Sequence, residues 1–169
     1  MRKPLYVAAT ILVLLGITAG THPLNAQSKS DEAAINALYS RFTDAFVKKD
    51  VNAIMAIYAP NVFVFDVVPP REYPTWDAYK KDWEGVFAAY PGPVTAAISE
   101  MNITVVGSVA YTHYIEGGSF TAADGTKTPV VVRNTDVLRK INGKWLIVQE
   151  HVSVPVDLST GKADMMSTP

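Results

Sequence analysis

The chain has 169 residues, 49% of them hydrophobic and 18% charged, and its 15 basic and 16 acidic side chains leave a net charge of −1. It holds no cysteine, which excludes a disulfide-stapled scaffold, a thiolate metal site and a lipid-bearing thiol. Mild acidity without a lysine or arginine cluster argues against nucleic acid or an anionic membrane as partner.

Arg2 and Lys3 precede an uncharged apolar run from Leu5 to Ala19, and a small-residue exit follows at Leu24-Asn25-Ala26. That is the layout of a secretory signal peptide, and the run is short for a membrane anchor. Residues 1–26 are therefore read as a cleaved leader, so the mature protein is expected to be exported, periplasmic or secreted, with no membrane attachment left. The remaining 143 residues carry 13 basic and 16 acidic side chains, a net charge of −3, and suffice for one domain of ordinary size.

Within the mature chain, Ser30 is expected to cap a first helix with Asp31 and Glu32 in its first turn. Ile35, Leu38, Tyr39, Phe42, Ala45 and Phe46 then recur at helical spacing and define one buried face. Asp50 caps a shorter helix through Tyr58, and Pro60-Asn61 turns the chain into an apolar strand, Val62 to Phe65, that ends on Asp66. Asp66 is either the cap of the proline-rich loop that follows or the working acid–base group of a pocket, because a carboxylate is costly to bury without a partner. Thr75 caps a third helix bearing Trp76, Tyr79, Trp83, Val86, Phe87 and Tyr90, which Pro91-Gly92-Pro93 terminates.

From Val94 the period changes to that of strands. Val94–Val106, Val109–Thr121, Pro129–Lys140 and Lys144–Pro155 are β-branched runs separated by turn residues, the pattern of consecutive antiparallel hairpins. Helices first and long strands afterwards predict an α+β fold, three helices packed on one face of a curved antiparallel sheet with a hollow between the layers. The core is expected to include Phe42, Phe46, Tyr58, Phe63, Trp83, Val137, Trp145 and Val148. The domain is read as residues 27–156, followed by a polar tail over 157–169.

A two-residue turn at Asn142-Gly143 pairs Ile141 with Lys144 and, counted onward without interruption, Arg133 with Val152. Arg133, Val137, Val148 and Glu150 then share a mostly valine face, which predicts that this face looks inward. Arg133 and Glu150 in that company are either a structural ion pair or the polar end of a pocket whose guanidinium holds an oxyanion. In the preceding strand, Tyr111, His113 and Ile115 share one parity and Ala110, Thr112, Tyr114 and Glu116 the other, and neither face is purely apolar. No cofactor and no metal site is expected, since only His113 and His151 lie beyond the leader and they are not spaced as ligands.

Two stretches, "KKDVNAIMAIYAPNVFVFD" over 48–66 and "VVRNTDVLRKINGKWLIVQEHVS" over 131–153, together with the order of elements, resemble the SnoaL-like branch of the nuclear transport factor 2-like superfamily, which includes ketosteroid isomerase. The resemblance runs from about Ser30 to Pro155 and implies a cone-shaped α+β roll with an interior pocket. It places the isomerase's general-base aspartate on Asp66. Phe42 falls where the isomerase has its oxyanion tyrosine, and Arg133 where it has its second oxyanion acid, so steroid isomerisation is not expected. It also points His113 into the pocket together with Tyr111.

On this reading Asp66, His113 and Arg133 are the catalytic candidates, and Phe42, Phe46, Tyr58, Trp83, Tyr111 and Glu150 line the ligand. Two functions of different class fit: acid–base chemistry beside a carbonyl, giving isomerisation, dehydration or cyclisation, or a non-catalytic module that binds a small molecule or dimerises. The face opposite the valines, with Asn134, Asp136, Gln149 and His151, is read as the outer one, either solvated or the sheet-to-sheet contact of an expected homodimer. The leader supplies the first testable expectation. Protein recovered from the cell envelope or medium should begin near Gln27 by intact mass, and a full-length chain held in the membrane would refute it.

Overall fold

The computed structural model describes the backbone of residues 23–167 and the side chains of residues 27–167. Most of the expected leader lies outside the described residues. The first helix, α1 (Pro23–Lys48), begins earlier than expected, so Ser30 is an interior residue and not its cap. Its buried stripe is the predicted one, Ile35, Leu38, Tyr39, Phe42, Ala45 and Phe46. Asp50 caps α2 (Val51–Met55) by accepting from the Ala53 amide, and Thr75 caps α3 (Trp76–Ala89) by accepting from the Ala78 amide. Both caps follow the preference for a short oxygen-bearing side chain where the first helical N–H groups lack partners.

The strands are β1 (Tyr58–Phe65), β2 (Thr95–Val106), β3 (Val109–Thr121), β4 (Lys127–Ile141) and β5 (Lys144–Ser153). They form one open sheet in the order β1-β5-β4-β3-β2. Four of them run as the predicted antiparallel meander, but β1 adds to β5 in parallel, so the sheet is mixed. The architecture is the expected α+β roll, with the helices on the concave face. Where the tail was read, β6 (Val156–Asp157) and β7 (Lys162–Ala163) make a small hairpin, and the Val131 amide donates to the Met165 carbonyl at 2.8 Å.

The β4–β5 hairpin departs from uninterrupted pairing. Ile141 faces Lys144 and Leu138 faces Ile147, yet Val137 faces Gln149, so Val148 is an extra residue on β5. Such a bulge reverses the side-chain parity of everything beyond it. On the bulged strand it brings Glu150 to the side of Asp136; β4 itself is unbroken, with Val132, Asn134, Asp136 and Leu138 buried and Arg133 and Thr135 exposed. Val137, Val148 and Phe63, expected in the core, are only half-buried, and Trp83 is half-buried against it. Phe42, Phe46, Tyr58 and Trp145 are core residues as expected.

Helix and sheet are tied by a buried polar contact. Asp31 on α1 accepts from the Lys140 ammonium at 2.6 Å and from the Trp145 indole at 3.0 Å, and these partners hold its carboxyl at about 2. Because this pKa lies below the unfolded value of 3.8, the contribution to stability is complete above that value and is lost as pH falls through about 2. Asp31→Ala strands the indole N–H and should lower stability by roughly 1–3 kcal/mol at neutral pH. Urea unfolding of the two proteins should converge as the pH is lowered through that window; a gap that persists at pH 2 would assign the effect to packing.

Candidate functional site

Between α1, α3 and the sheet lies a cavity of about 280 Å³. The helices give it aromatic walls. Phe42, Phe46 and Trp83 pack edge to face, with Phe46 5.6 Å from the rings of both Trp83 and Phe120. Tyr79 and Tyr90 complete the rings on that side, and Val130, Val132, Val152 and Met165 add aliphatic surface from the sheet and the C-terminal segment. Gly118 on β3 also faces the cavity; a Cβ there would stand 2.0 Å from the Thr95 carbonyl oxygen, so the close approach of β2 requires glycine.

The strands give the cavity its polar groups. Val62, Val64 and Asp66 alternate inward along and just past β1, which carries Asp66 to the cavity. Its Oδ1 accepts from the Val68 amide and its Oδ2 from the Tyr79 hydroxyl, both at 3.1 Å. Asp66 therefore both caps the loop and lines the pocket. Desolvation raises its pKa, with the Val68 amide and the Tyr79 hydroxyl pulling the other way.

Opposite, Glu150 is 3% exposed and its Oε2 has no hydrogen-bond partner. It pairs across the strands with Asp136, which is wholly buried. Burial pushes the Glu150 carboxyl well up, and the neighbouring Asp136 charge adds to the rise. Asp136 is raised to about 7 by burial, against the pull of the Tyr39 hydroxyl, which donates to its Oδ2 at 2.6 Å, and of Tyr114 at 3.3 Å. Glu116 on β3 is likewise raised to about 7 by burial, and Asp82 on α3 to about 6. Two donors, Trp83 Nε1 and Asn134 Nδ2, are buried beside the same cavity without partners.

Of the expected site residues, the structure brings together Asp66, Phe42, Phe46, Trp83 and Glu150. Tyr58 is buried behind the lining, its ring 5.4 Å from that of Tyr79 and its phenol beside Glu150. Three placements are corrected. Arg133, His113 and Tyr111 are exposed on the outer face of the sheet, Arg133 because it alternates with the buried Val132, Asn134, Asp136 and Leu138 on an unbroken β4, while the Val148 bulge turns Glu150 to the inner face. His113 and Tyr111 lie there because Ala110, Thr112 and Tyr114 are the buried set on β3. Arg133 and Glu150 thus stand on opposite faces and form neither an ion pair nor a joint anion site.

Asn134 and Asp136, expected on the outer face, are corrected to the inner one with Val132 and Leu138, and Glu116, which shares parity with Ala110, Thr112 and Tyr114, lies with Asn134 at the cavity. Among the described residues no group of three or more histidine, aspartate and glutamate side chains is placed to hold a metal ion.

The model of the SnoaL-like domain matches residues 35–157. Among solved structures, an NTF2-like protein of unknown function from Pseudomonas putida KT2440 is 26% identical with a TM-score of 0.77, over 84% of this chain and 99% of that one. A ketosteroid isomerase-like protein from Erwinia carotovora atroseptica is 23% identical with a TM-score of 0.62, over 72% and 93%. A putative scytalone dehydratase from Novosphingobium aromaticivorans is 15% identical with a TM-score of 0.69, over 76% and 86%. These last two likenesses show the fold. No curated protein matches the chain significantly.

The buried carboxyls make stability depend on pH in the sense opposite to Asp31. Glu116 and Asp136 bind their protons more tightly in the folded state, so stability is fully present below about pH 4 and is lost as pH rises through about 7. Asp136→Asn removes the charge beside Glu150, and the Glu150 carboxyl, followed by carbon-13 NMR, should then titrate at lower pH than in the parent. An unchanged Glu150 titration would show that desolvation alone sets it.

Proposed function

The chain belongs to the SnoaL-like domain family, and on that footing we propose that its cavity binds a small, mostly apolar organic molecule and carries out acid–base chemistry beside a carbonyl. The observation that supports this most is the pair of carboxyls in unlike surroundings. Asp66 sits half-buried, its pKa raised by desolvation while an amide and a hydroxyl donate to it and favour its ionised form, the balance suited to a general base. Glu150 sits on the cavity floor with no cation beside it, conditions that keep its proton on.

In this reading Asp66 removes a proton from the carbon next to the carbonyl. The electron pair moves onto the carbonyl oxygen, which receives hydrogen bonds from the neutral Glu150 carboxyl and from Asn134 Nδ2. Delivery of the proton to another carbon completes an isomerisation; if the enolate instead expels a β-hydroxyl, the proton held by Asp66 goes to the leaving oxygen and water departs, completing a dehydration. The ring-lined walls exclude water, which strengthens both interactions. Arg133 and His113 take no part, since both face away from the cavity. Reading residues 1–26 as a leader supports an activity outside the cytoplasm.

The test is exchange of the α-hydrogens of 4-ethylacetophenone in deuterated buffer, read by NMR. The parent protein should accelerate it. Asp66→Asn should slow the catalysed exchange by about 10²-fold or more, and Glu150→Gln by about 10-fold or more, while thermal melts show both variants folded. Saturable binding of the ketone without catalysed exchange would instead assign the cavity to a binding module.

A further inference from the structure

We infer that the guest of this cavity is an organic cation, a small ring-bearing amine whose ammonium group sits between the carboxyls of Asp82 and Glu116 and whose oxygen acceptor faces Glu150, Trp83 and Asn134. The inference rests on the reading of the cavity as a small-molecule site and adds the charge class of the molecule.

Four observations on the lining lead there. The ionisable groups that line the cavity are Asp66, Asp82, Glu116 and Glu150 with the phenols of Tyr79 and Tyr90, and no lysine, arginine or histidine is among them. Lys49, at the end of α1, has its ammonium on the Tyr90 and Gly92 carbonyls and is not part of the lining. An anionic guest would meet only like charge, whereas a cation supplies the counter-charge the fold omits.

The second observation is an acceptor without a partner. Glu150 Oε2 is buried in the cavity wall with nothing donating to it, and Asp136 Oδ1 behind it is in the same state. Buried carboxyl oxygens are ordinarily hydrogen-bonded, so an unpartnered one on a residue of the cavity wall marks a polar contact that the guest completes. Third, the rings of Phe42, Phe46, Trp83 and Phe120 enclose the same space, and aromatic faces attract ammonium groups most when water is excluded. Fourth, the unpartnered N–H groups of Trp83 and Asn134 call for an acceptor, which an amine alone does not offer but an amino ketone does. A volume of about 280 Å³ suits one or two rings.

Binding of such a cation would expel a proton. The groups facing the carboxyls are Tyr39 on α1, Tyr58 and Asp66 on and after β1, Tyr79 and Asp82 on α3, Tyr114 and Glu116 on β3, and Asp136 and Glu150 on β4 and β5. All are acids, and their mutual repulsion keeps several of them neutral in the empty cavity. An ammonium guest favours the ionised form, so its affinity should rise with pH between about 5 and 8.

Three ketones of similar shape test this: 4-(aminomethyl)acetophenone, 4-ethylacetophenone and 4-acetylbenzoate, titrated calorimetrically in two buffers of different ionisation enthalpy. The amine should bind at least tenfold tighter than the neutral ketone and the benzoate weakest, with proton release seen for the amine alone. Asp82→Asn and Glu116→Gln should each cut the amine's affinity at least fivefold and leave that of the neutral ketone within twofold. If Glu116→Gln does not fold, Asp82→Asn, which is only half-buried, carries the comparison. A neutral ketone that binds as tightly as the amine overturns the inference and leaves the site reading standing. Absence of binding by all three overturns both.

Discussion

Asp136 and Glu150 face each other on neighbouring strands inside the protein, and no cation stands between them. Two ionised carboxylates so placed would repel strongly and would both be desolvated, so the pair must keep a proton. Which one keeps it follows from the donors. Asp136 receives the hydroxyls of Tyr39 and Tyr114, and Tyr39 in turn stands 2.6 Å from the Thr112 hydroxyl. Those donors favour charge on Asp136 and leave the proton to Glu150. The same contacts fix α1 on the sheet, because Tyr39 reaches its carboxyl partner only if the helix lies where it does. One electrostatic constraint thus sets helix docking and the chemical state of the cavity floor.

Much of this architecture was legible in the sequence. The caps Asp50 and Thr75, the turn at Asn142-Gly143 and the breakers at Pro91-Gly92-Pro93 act locally, and local signals survive folding. Asn142 and Gly143 adopt φ of 50° and 80°, the left-handed pair that a two-residue hairpin turn demands, and the first four residue pairs of that hairpin follow from it. Asp66 was legible for a similar reason, since the alternation Val62, Val64, Asp66 runs unbroken to the cavity.

The polar floor was not legible, and the cause is a single residue. Val148 is surplus to the ladder, and nothing in a run of β-branched residues says which one will be skipped. The bulge carries Glu150 and Val152 onto the face of Asp136 and Asn134, and on the unbroken β4 the polar residues are the buried set while Val131 and Val137 stay half-buried. The β3 strand misleads differently. Its buried side chains Thr112 and Tyr114 are polar because they serve Tyr39 and Asp136, so a face that is interior does not look apolar. The start of α1 was misplaced because Asp31 was read as a first-turn charge near the helix dipole, whereas its carboxyl is spent on Lys140 and Trp145.

Helices and sheet divide the work of the cavity. The helices present rings, which close the space and exclude water; the strands present carboxyls and an amide at fixed heights along the cone. A carboxyl at the rim keeps amide and hydroxyl donors, as Asp66 does with Val68 and Tyr79. One on the floor loses water and faces another carboxyl, as Glu150 does. Desolvation raises both pKa values, but donors offset the rise at Asp66 and the Asp136 charge adds to it at Glu150, although both begin with nearly the same intrinsic pKa. Between them stand the phenols of Tyr79 and Tyr58, buried and with their own pKa values pushed well up, so they remain neutral donors and cannot short-circuit the difference by ionising. A fold that holds two carboxyls at unequal depth across a dry cavity needs no histidine or arginine inside it to keep opposite protonation states side by side.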